Sequence, residues 1–404
     1  MKKRFGSYTV EGNILCLLLI IEYLLRIFLG ILKLFKKRRG KIKEAAVERI
    51  RKILVVEIVG MGDAVIATSI VRPLRSRYTK AKITFLGNPQ YMDAVRGAFD
   101  ATTGLEAPWV RKKSKLRWLQ GWGGFIQNCR RLRSEKFDLC IDARCDWRSG
   151  LLCYLIGAEN RIGFDFSIGS YFFTEAVPYG AIVQRAEEYA KILYYLGIDT
   201  SLCIPFVRIS PQIEANIEVL LTGLGLSKNN YYLVHPGAAR KYKKYPLGKL
   251  KEIIEGLRGK YPGIKPLVIG GEEDAEDLAC LKAISEGELI TLTTTIEEAM
   301  GLTAFCQTLI CNNSGLMHIA AALGKKAVVF IGPTDERIWS PSGEGHLLFQ
   351  ESRGLDCHPC GEEICVRPDS PCIELIEPHS VVAAICRSGI LFENSSPPPV
   401  VSGQ

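Results

Sequence analysis

Asp63 closes the glycine turn V-G-M-G-D that follows the apolar run K-I-L-V-V-E-I-V. A carboxylate placed there has two chemical uses. It can cap exposed backbone N–H groups of a following helix, worth about 1 kcal/mol, or accept a proton from an attacking hydroxyl. The two are compatible, because a helix N-terminus holds a carboxylate ionised and aimed. The turn is not a nucleotide cradle. It lacks the third glycine of G-x-G-x-x-G, no acid stands at the end of the next apolar run, and G-K-[ST] is absent.

Anion chemistry is written elsewhere in the chain. In V-H-P-G-A-A-R-K-Y-K-K-Y-P, His235 and Gly237 precede Arg240, Lys241, Lys243 and Lys244. Such a loop suits a diphosphate, neutralising a departing phosphate, and is otherwise a solvated basic loop. In C-N-N-S-G-L-M-H, Asn312, Asn313, Ser314 and Gly315 make a polar turn before a helix carrying His318 in its first turn. Free N–H groups at that terminus form an anion site. His318 either donates to the ligand or packs under the turn. Gly332, Thr334 and Asp335 repeat the pattern one strand later. Glu272, Glu273 and Asp274 end another apolar run, where a carboxylate grips a ribose diol or complements the helix dipole.

Of 14 cysteines, Cys140, Cys306 and Cys311 lie in apolar runs and read as buried thiols of a reducing compartment. Cys357, Cys360, Cys365 and Cys372 crowd into C-H-P-C-G-E-E-I-C-V-R-P-D-S-P-C. One C-x-x-C followed by two more thiols is compatible with a tetrahedral structural zinc. The looser second pair leaves disulfides or plain thiols open.

These residues must be held at strand ends. The runs K-I-L-V-V-E-I-V-G, A-K-I-T-F-L-G and F-D-L-C-I-D-A-R, then Y-Y-L-V-H-P-G, K-P-L-V-I-G-G, E-L-I-T-L, T-L-I-C-N-N-S-G and K-A-V-V-F-I-G-P, predict buried strands. Helical stretches such as L-G-K-L-K-E-I-I-E-G-L-R-G-K-Y alternate with them, which predicts α/β domains with parallel sheets. Such sheets bind ligands beyond the carboxyl ends of their strands. The expected divisions are an N-terminal hydrophobic helix with basic flanks (1–50), a first domain (51–205), a second domain with the cysteine cluster (206–392) and a proline-rich disordered tail (393–404).

The chain has 404 residues, 52 Lys+Arg against 43 Asp+Glu, and 47% apolar residues, a globular balance. Much of the positive excess flanks the apolar segment 13–35, and no basic–aromatic stripe runs through the rest, so nucleic acid is not the expected partner. The segment is long enough to span a bilayer. Glu22 and Arg26, four apart, can pair along it, or the helix lies in the interface. The heavier basic cluster follows it, which favours a cytoplasmic location for the domains.

Taken together, G-M-G-D, H-P-G-A with K-K-Y-P, G-G-E-E-D, N-N-S-G-L-M-H-I-A-A-A-L-G, G-P-T-D and the late cysteines resemble the ADP-heptose:lipopolysaccharide heptosyltransferases, glycosyltransferase family 9, over roughly residues 51 to 390. The resemblance implies a GT-B architecture of two facing Rossmann-like domains, the second holding a nucleotide-sugar donor. It implies inverting sugar transfer that requires no metal or other cofactor, from a nucleotide-diphosphate donor (ADP-heptose by family default) to a lipid-linked glycan such as lipopolysaccharide core. The place of action it implies is the cytoplasmic face of the bacterial inner membrane. By motif, Asp63 matches the acceptor-activating aspartate, Lys243 a donor-phosphate lysine and Glu272 the ribose contact, while Ser314, Gly315 and His318 match the diphosphate site. Asn313 stands where the family's N-D-S-G has aspartate. Two other readings share the pattern: a nucleotide-sugar epimerase of the same fold, and a non-catalytic membrane-bound sugar-binding protein with a decayed donor site.

Overall fold

The computed structural model of the chain describes residues 3–5, 8–10, 49–108, 115–144, 146–181, 184–360, 365–367 and 371–392. The apolar segment 13–35 and the tail 393–404 lie outside the described residues. Among those described, no helix is long and apolar enough to cross a membrane.

The chain divides into two units. The first holds residues up to Arg208 together with Glu336–Ser342, and the second holds Ile209–Asp335 and the residues from Gly343 on.

Six parallel strands build the first unit: β1 Lys52–Glu57, β2 Lys82–Gly87, β3 Ala101–Gly104, β4 Leu139–Asp142, β5 Asn160–Phe164 and β6 Glu175–Val177. Their order is β3-β2-β1-β4-β5-β6. The central strands are β-rich apolar runs without alternation, and Ile53, Leu54, Val55, Phe85, Leu139 and Ile141 are fully buried. That is the signature of a sheet covered on both faces.

The second unit repeats the plan with β7 Tyr231–His235, β8 Lys265–Gly270, β9 Ile290–Thr293, β10 Leu309–Asn312, β11 Ala327–Phe330 and β12 Leu347–Phe349. Its order, β9-β8-β7-β10-β11-β12, is again all parallel. One face packs on Leu250, Ile253, Ile254 and Leu257 of the helix Leu247–Lys260 and on Val381 and Ile385 of the helix Pro378–Ser388. The stacked pair Tyr245–Phe330, 4.2 Å between centroids, lies in the same cluster.

The strands expected from apolar runs are all present. The short edge strands β3, β6 and β12 had no such signal, because edge strands are only partly buried and carry mixed residues.

In both units the strand order reverses beside the first strand, between β1 and β4 and between β7 and β10. Successive crossovers leave on opposite sides there, so the strand ends part and a crevice opens at their carboxyl ends. Asp63 follows β1 and Ser314 follows β10, on either side of these reversals.

The helix Ile296–Phe305 opens with a capping box, Thr295 Oγ1 accepting from the Glu298 N–H and the Glu298 carboxylate accepting from the Thr295 N–H. Thr295→Ala is expected to lower stability by about 1 kcal/mol, read as a shift in urea midpoint with unchanged slope.

Candidate active site

In the first unit, β1 ends on Glu57 and the helix α1 Met61–Ala67 starts after Gly60. Asp63 is the third residue of α1, and its carboxylate accepts from Arg185 Nε rather than from a backbone N–H among the described residues. The capping alternative is therefore not what the carboxylate does. It folds back over Gly60, where an added Cβ would stand 2.9 Å from Oδ2. Gly60 has ordinary extended backbone angles, φ −119° and ψ 150°. Its lack of a side chain serves the carboxylate rather than the turn.

Two arginines hold Asp63. Arg185, first residue of α2 Arg185–Tyr195, places Nε 3.3 Å from Oδ1, and Arg144, just past β4, places its NH1 group 3.5 Å from Oδ2. Both also reach Glu57, Arg144 at 3.1 Å and Arg185 at 3.4 Å. Two acids and two arginines thus form a ring, with Glu57 and Asp63 only 1% and 8% exposed. Arg185 is fixed further by Glu188 and by the Ala143 carbonyl, and Tyr179 donates to Glu188. Gln184, just before α2, donates to the carbonyls of Ser340 and Pro341 in the returning segment of the same unit.

Asp142, at the end of β4, is fully buried. Its Oδ1 accepts from the Arg144 N–H, and Oδ2 has no hydrogen-bond partner among the described residues. Burial pushes this carboxyl up to about 7, against the pull of the Ser149 and Arg144 hydrogen bonds.

In the second unit the polar strand ends do two jobs. Asn312, last residue of β10 and 1% exposed, donates through Nδ2 to the carbonyls of Pro236 (2.6 Å) and Gly237 (3.3 Å). Its Oδ1 accepts from the Tyr245 N–H at 2.9 Å. One amide thereby ties the loop after β7 to the start of the Leu247–Lys260 helix. Asp274 does similar work. Its carboxylate meets Lys244 Nζ at 3.0 Å and His235 Nε2 at 3.6 Å, and lies where a Cβ on Gly237 would come within 2.2 Å. Burial alone would raise this carboxyl, but the hydrogen bonds and charges of His235 and Lys244 outweigh it and hold it down at about 2.

Three buried polar atoms at these strand ends have no hydrogen-bond partner among the described residues. Ser314 is the N-cap of α3 Gly315–Ala322, yet makes no capping bond, and its buried Oγ has no hydrogen-bond partner among the described residues. The same holds for Thr334 Oγ1 after β11 and for His235 Nδ1 at the end of β7. These three groups sit at the carboxyl ends of the neighbouring strands β7, β10 and β11. A serine that leaves its own helix uncapped keeps hydroxyl and first-turn N–H groups available to an anion. His318 lies in the first turn of α3, 6% exposed, and Asn313 is half-buried with its N–H on the Phe330 carbonyl. Lys243 ends the short turn Lys241–Lys243 and is half-buried. Glu272 is exposed; of the three acids after β8, Asp274 turns inward.

Cys357, Cys360, Cys365 and Cys372 line one pocket with Tyr242, Pro333 and Arg367. All four are free thiols. As the side chains stand, no three His, Cys, Asp or Glu groups among the described residues are drawn together closely enough to hold an ion. Cys140, Cys306 and Cys311 are buried, and burial pushes the Cys306 thiol up to about 12.

Glu57, Arg144 and Arg185 carry the geometry without having stood out in the sequence.

The profile of glycosyltransferase family 9 (heptosyltransferase) matches residues 126–368, well over half the chain. The chain belongs to glycosyltransferase family 9. It is a glycosyltransferase. Lipooligosaccharide heptosyltransferase 2 of Haemophilus influenzae is 42% identical over 330 residues, 75% of this chain and 89% of the relative. Lipopolysaccharide heptosyltransferase 3 of Escherichia coli is 25% identical over 301 residues, 71% of this chain and 85% of that one. The solved structure of E. coli heptosyltransferase WaaC with ADP-2-deoxy-2-fluoro heptose, 18% identical, superposes with a TM-score of 0.61 over 83% of this chain and 99% of its own. That likeness is one of fold, the GT-B architecture. Family membership brings the second unit's strand ends and the first three cysteines of the cluster inside the matched stretch, and Asp63 lies ahead of it.

Two outcomes test the ring. Gly60→Ala, tolerated by the backbone, is expected to displace the Asp63 carboxylate, cutting kcat about tenfold or more while the melting temperature barely moves. Asp142 keeps its proton to about pH 7 when folded, whereas an unfolded aspartate loses it near ~4. The folded state therefore binds more protons in that window, and stability falls as pH rises through it. Asp142→Asn is expected to raise the urea midpoint at pH 8 relative to pH 5.

Proposed function

We propose that the chain moves a heptose from an ADP-linked donor to a lipid-linked glycan of the lipopolysaccharide-core type, inverting the anomeric carbon, with Asp63 as general base. The relatives' names, lipopolysaccharide and lipooligosaccharide heptosyltransferases, support this donor and acceptor class. In this reading the first domain (51–205) receives the acceptor and the second (206–392) holds the nucleotide sugar. The open Ser314 hydroxyl at the uncapped start of α3 is the observation that carries the donor assignment.

The acceptor hydroxyl gives its proton to Asp63 as its oxygen attacks the anomeric carbon. The carbon–oxygen bond to the diphosphate breaks from the opposite side, which inverts the centre. Arg144 and Arg185 hold the Asp63 carboxylate fixed in direction. Charge building on the diphosphate is met by Lys243, the Ser314 hydroxyl, the N–H of Gly315 and His318, the work a divalent ion does in other transferases. Lys244 is committed to Asp274 and Asp277 and so shapes this loop rather than binding. Glu272, exposed beside the turn, is placed to meet the ribose. Asn313 accepts or donates a hydrogen bond there without the charge of the family's aspartate. The segment 13–35 serves as the membrane anchor that brings the enzyme to its acceptor at the cytoplasmic face of the inner membrane.

Purified protein incubated with ADP-heptose and a lipid-linked core acceptor should release ADP in an acceptor-dependent reaction. Asp63→Asn should lower kcat about 100-fold or more, the usual contribution of a general base, with donor KM little changed. ADP release that survives Asp63→Asn undiminished would remove the base assignment. Absence of nucleotide release from any nucleotide-linked sugar would remove the transferase reading itself.

A further inference from the structure

We propose that Cys357, Cys360, Cys365 and Cys372 bind one thiophilic divalent cation, of the zinc class, and that the loaded site anchors the donor loop around Tyr242.

The first observation is a loop that lacks a core. Among the described residues from Arg353 to Cys372 none is buried, and none of those described between Phe349 and Pro378 lies in a strand or α-helix. Residues with so little apolar burial need another source of order. Small units with too little core are held by disulfides or metals, and all four of these cysteines are free thiols.

The second observation is convergence. All four thiols line the same pocket although 15 positions separate Cys357 from Cys372. A cation bound among convergent thiols is held by their thiolate forms.

The third is second-sphere preparation. Arg367 N–H, two residues beyond Cys365, points at its sulfur at 3.4 Å. This donor stabilises a thiolate. Arg367 also lines the pocket, and its cation offsets the excess negative charge of a four-thiolate site.

Binding is balanced as one dication and four thiols giving one tetrathiolate complex and four released protons. No electron is transferred. The sulfurs surround the pocket without meeting at one point, so loading requires rotation about their Cα–Cβ bonds, which a half-buried loop permits. Soft thiolate donors in tetrahedral array select zinc or iron over harder cations.

Its consequence lies in what else touches the pocket. Tyr242 stands next to Lys243, and Pro333 precedes Thr334, while the Cys360 N–H donates to the Pro333 carbonyl at 2.8 Å. A closed metal site therefore fixes two strand-end loops of the second unit to each other. This second half of the inference rests on the donor reading above; the metal itself does not.

The experiment is elemental analysis of the full chain, purified without chelator, with native thiol titration beside it. The expected result is one zinc or iron per chain, with four thiols that become reactive only when a mercurial displaces the metal. Cobalt substitution should give the intense visible bands of tetrahedral thiolate ligation. Cys372→Ser should lose the metal and raise the KM for donor several-fold, with kcat less affected. Metal-depleted parent protein, which needs no variant to fold, should show the same KM change. No stoichiometric metal, with the four thiols reactive or joined as disulfides, overturns the site. Stoichiometric metal whose removal leaves donor KM unchanged overturns the anchoring role alone.

Discussion

A parallel strand ends with backbone groups that have no further partner, and in a doubly wound sheet the two central strands send their chains off on opposite faces. Both units of this transferase share that constraint, at β1 and β4 and again at β7 and β10. Asp63 follows β1 and Arg144 follows β4, while Ser314 follows β10, at strand ends of the kind that such a reversal leaves uncovered. The two crevices are then furnished in opposite ways.

The first is filled with its own charges. Glu57, Asp63, Arg144 and Arg185 satisfy one another out of water. Such a ring is a poor way to stabilise a fold, since desolvation offsets most of the attraction. Its value is in direction: a carboxylate gripped on both oxygens cannot swing away. The second crevice keeps its structural polar groups busy, Asn312 with loop carbonyls and Asp274 with His235 and Lys244, and leaves Ser314, Thr334 and His235 Nδ1 with open hydrogen-bonding capacity. Buried groups of that kind are rare unless something is meant to complete them.

Much of this was legible in the sequence, for physical reasons that also mark where legibility stops. The strands declared themselves because both faces are buried, and the parallel α/β class followed from their alternation with helices. Asp63 was legible because the glycine turn isolates it. Arg144 and Arg185 were not, since 122 residues separate Arg185 from Asp63 and an arginine in sequence looks like any surface charge. The acids after β8 show the limit most clearly. One short turn sends Glu272 to solvent and Asp274 inward, and no spacing rule distinguishes them. The paired lysines and paired asparagines show the same limit: Lys244 and Asn312 hold the scaffold, and nothing in the sequence tells either of them from its neighbour Lys243 or Asn313.

In the proposed mechanism proton acceptance belongs to the first unit and diphosphate binding to the second. The most direct test is equilibrium binding of ADP, by calorimetry, to the parent protein, Asp63→Asn and Ser314→Ala. A hydrogen bond to a charged group contributes about 1.5–3 kcal/mol. Ser314→Ala is therefore expected to weaken ADP about tenfold or more, while Asp63→Asn binds it as the parent does. Loss of ADP binding in Asp63→Asn with full affinity in Ser314→Ala would contradict the division of labour.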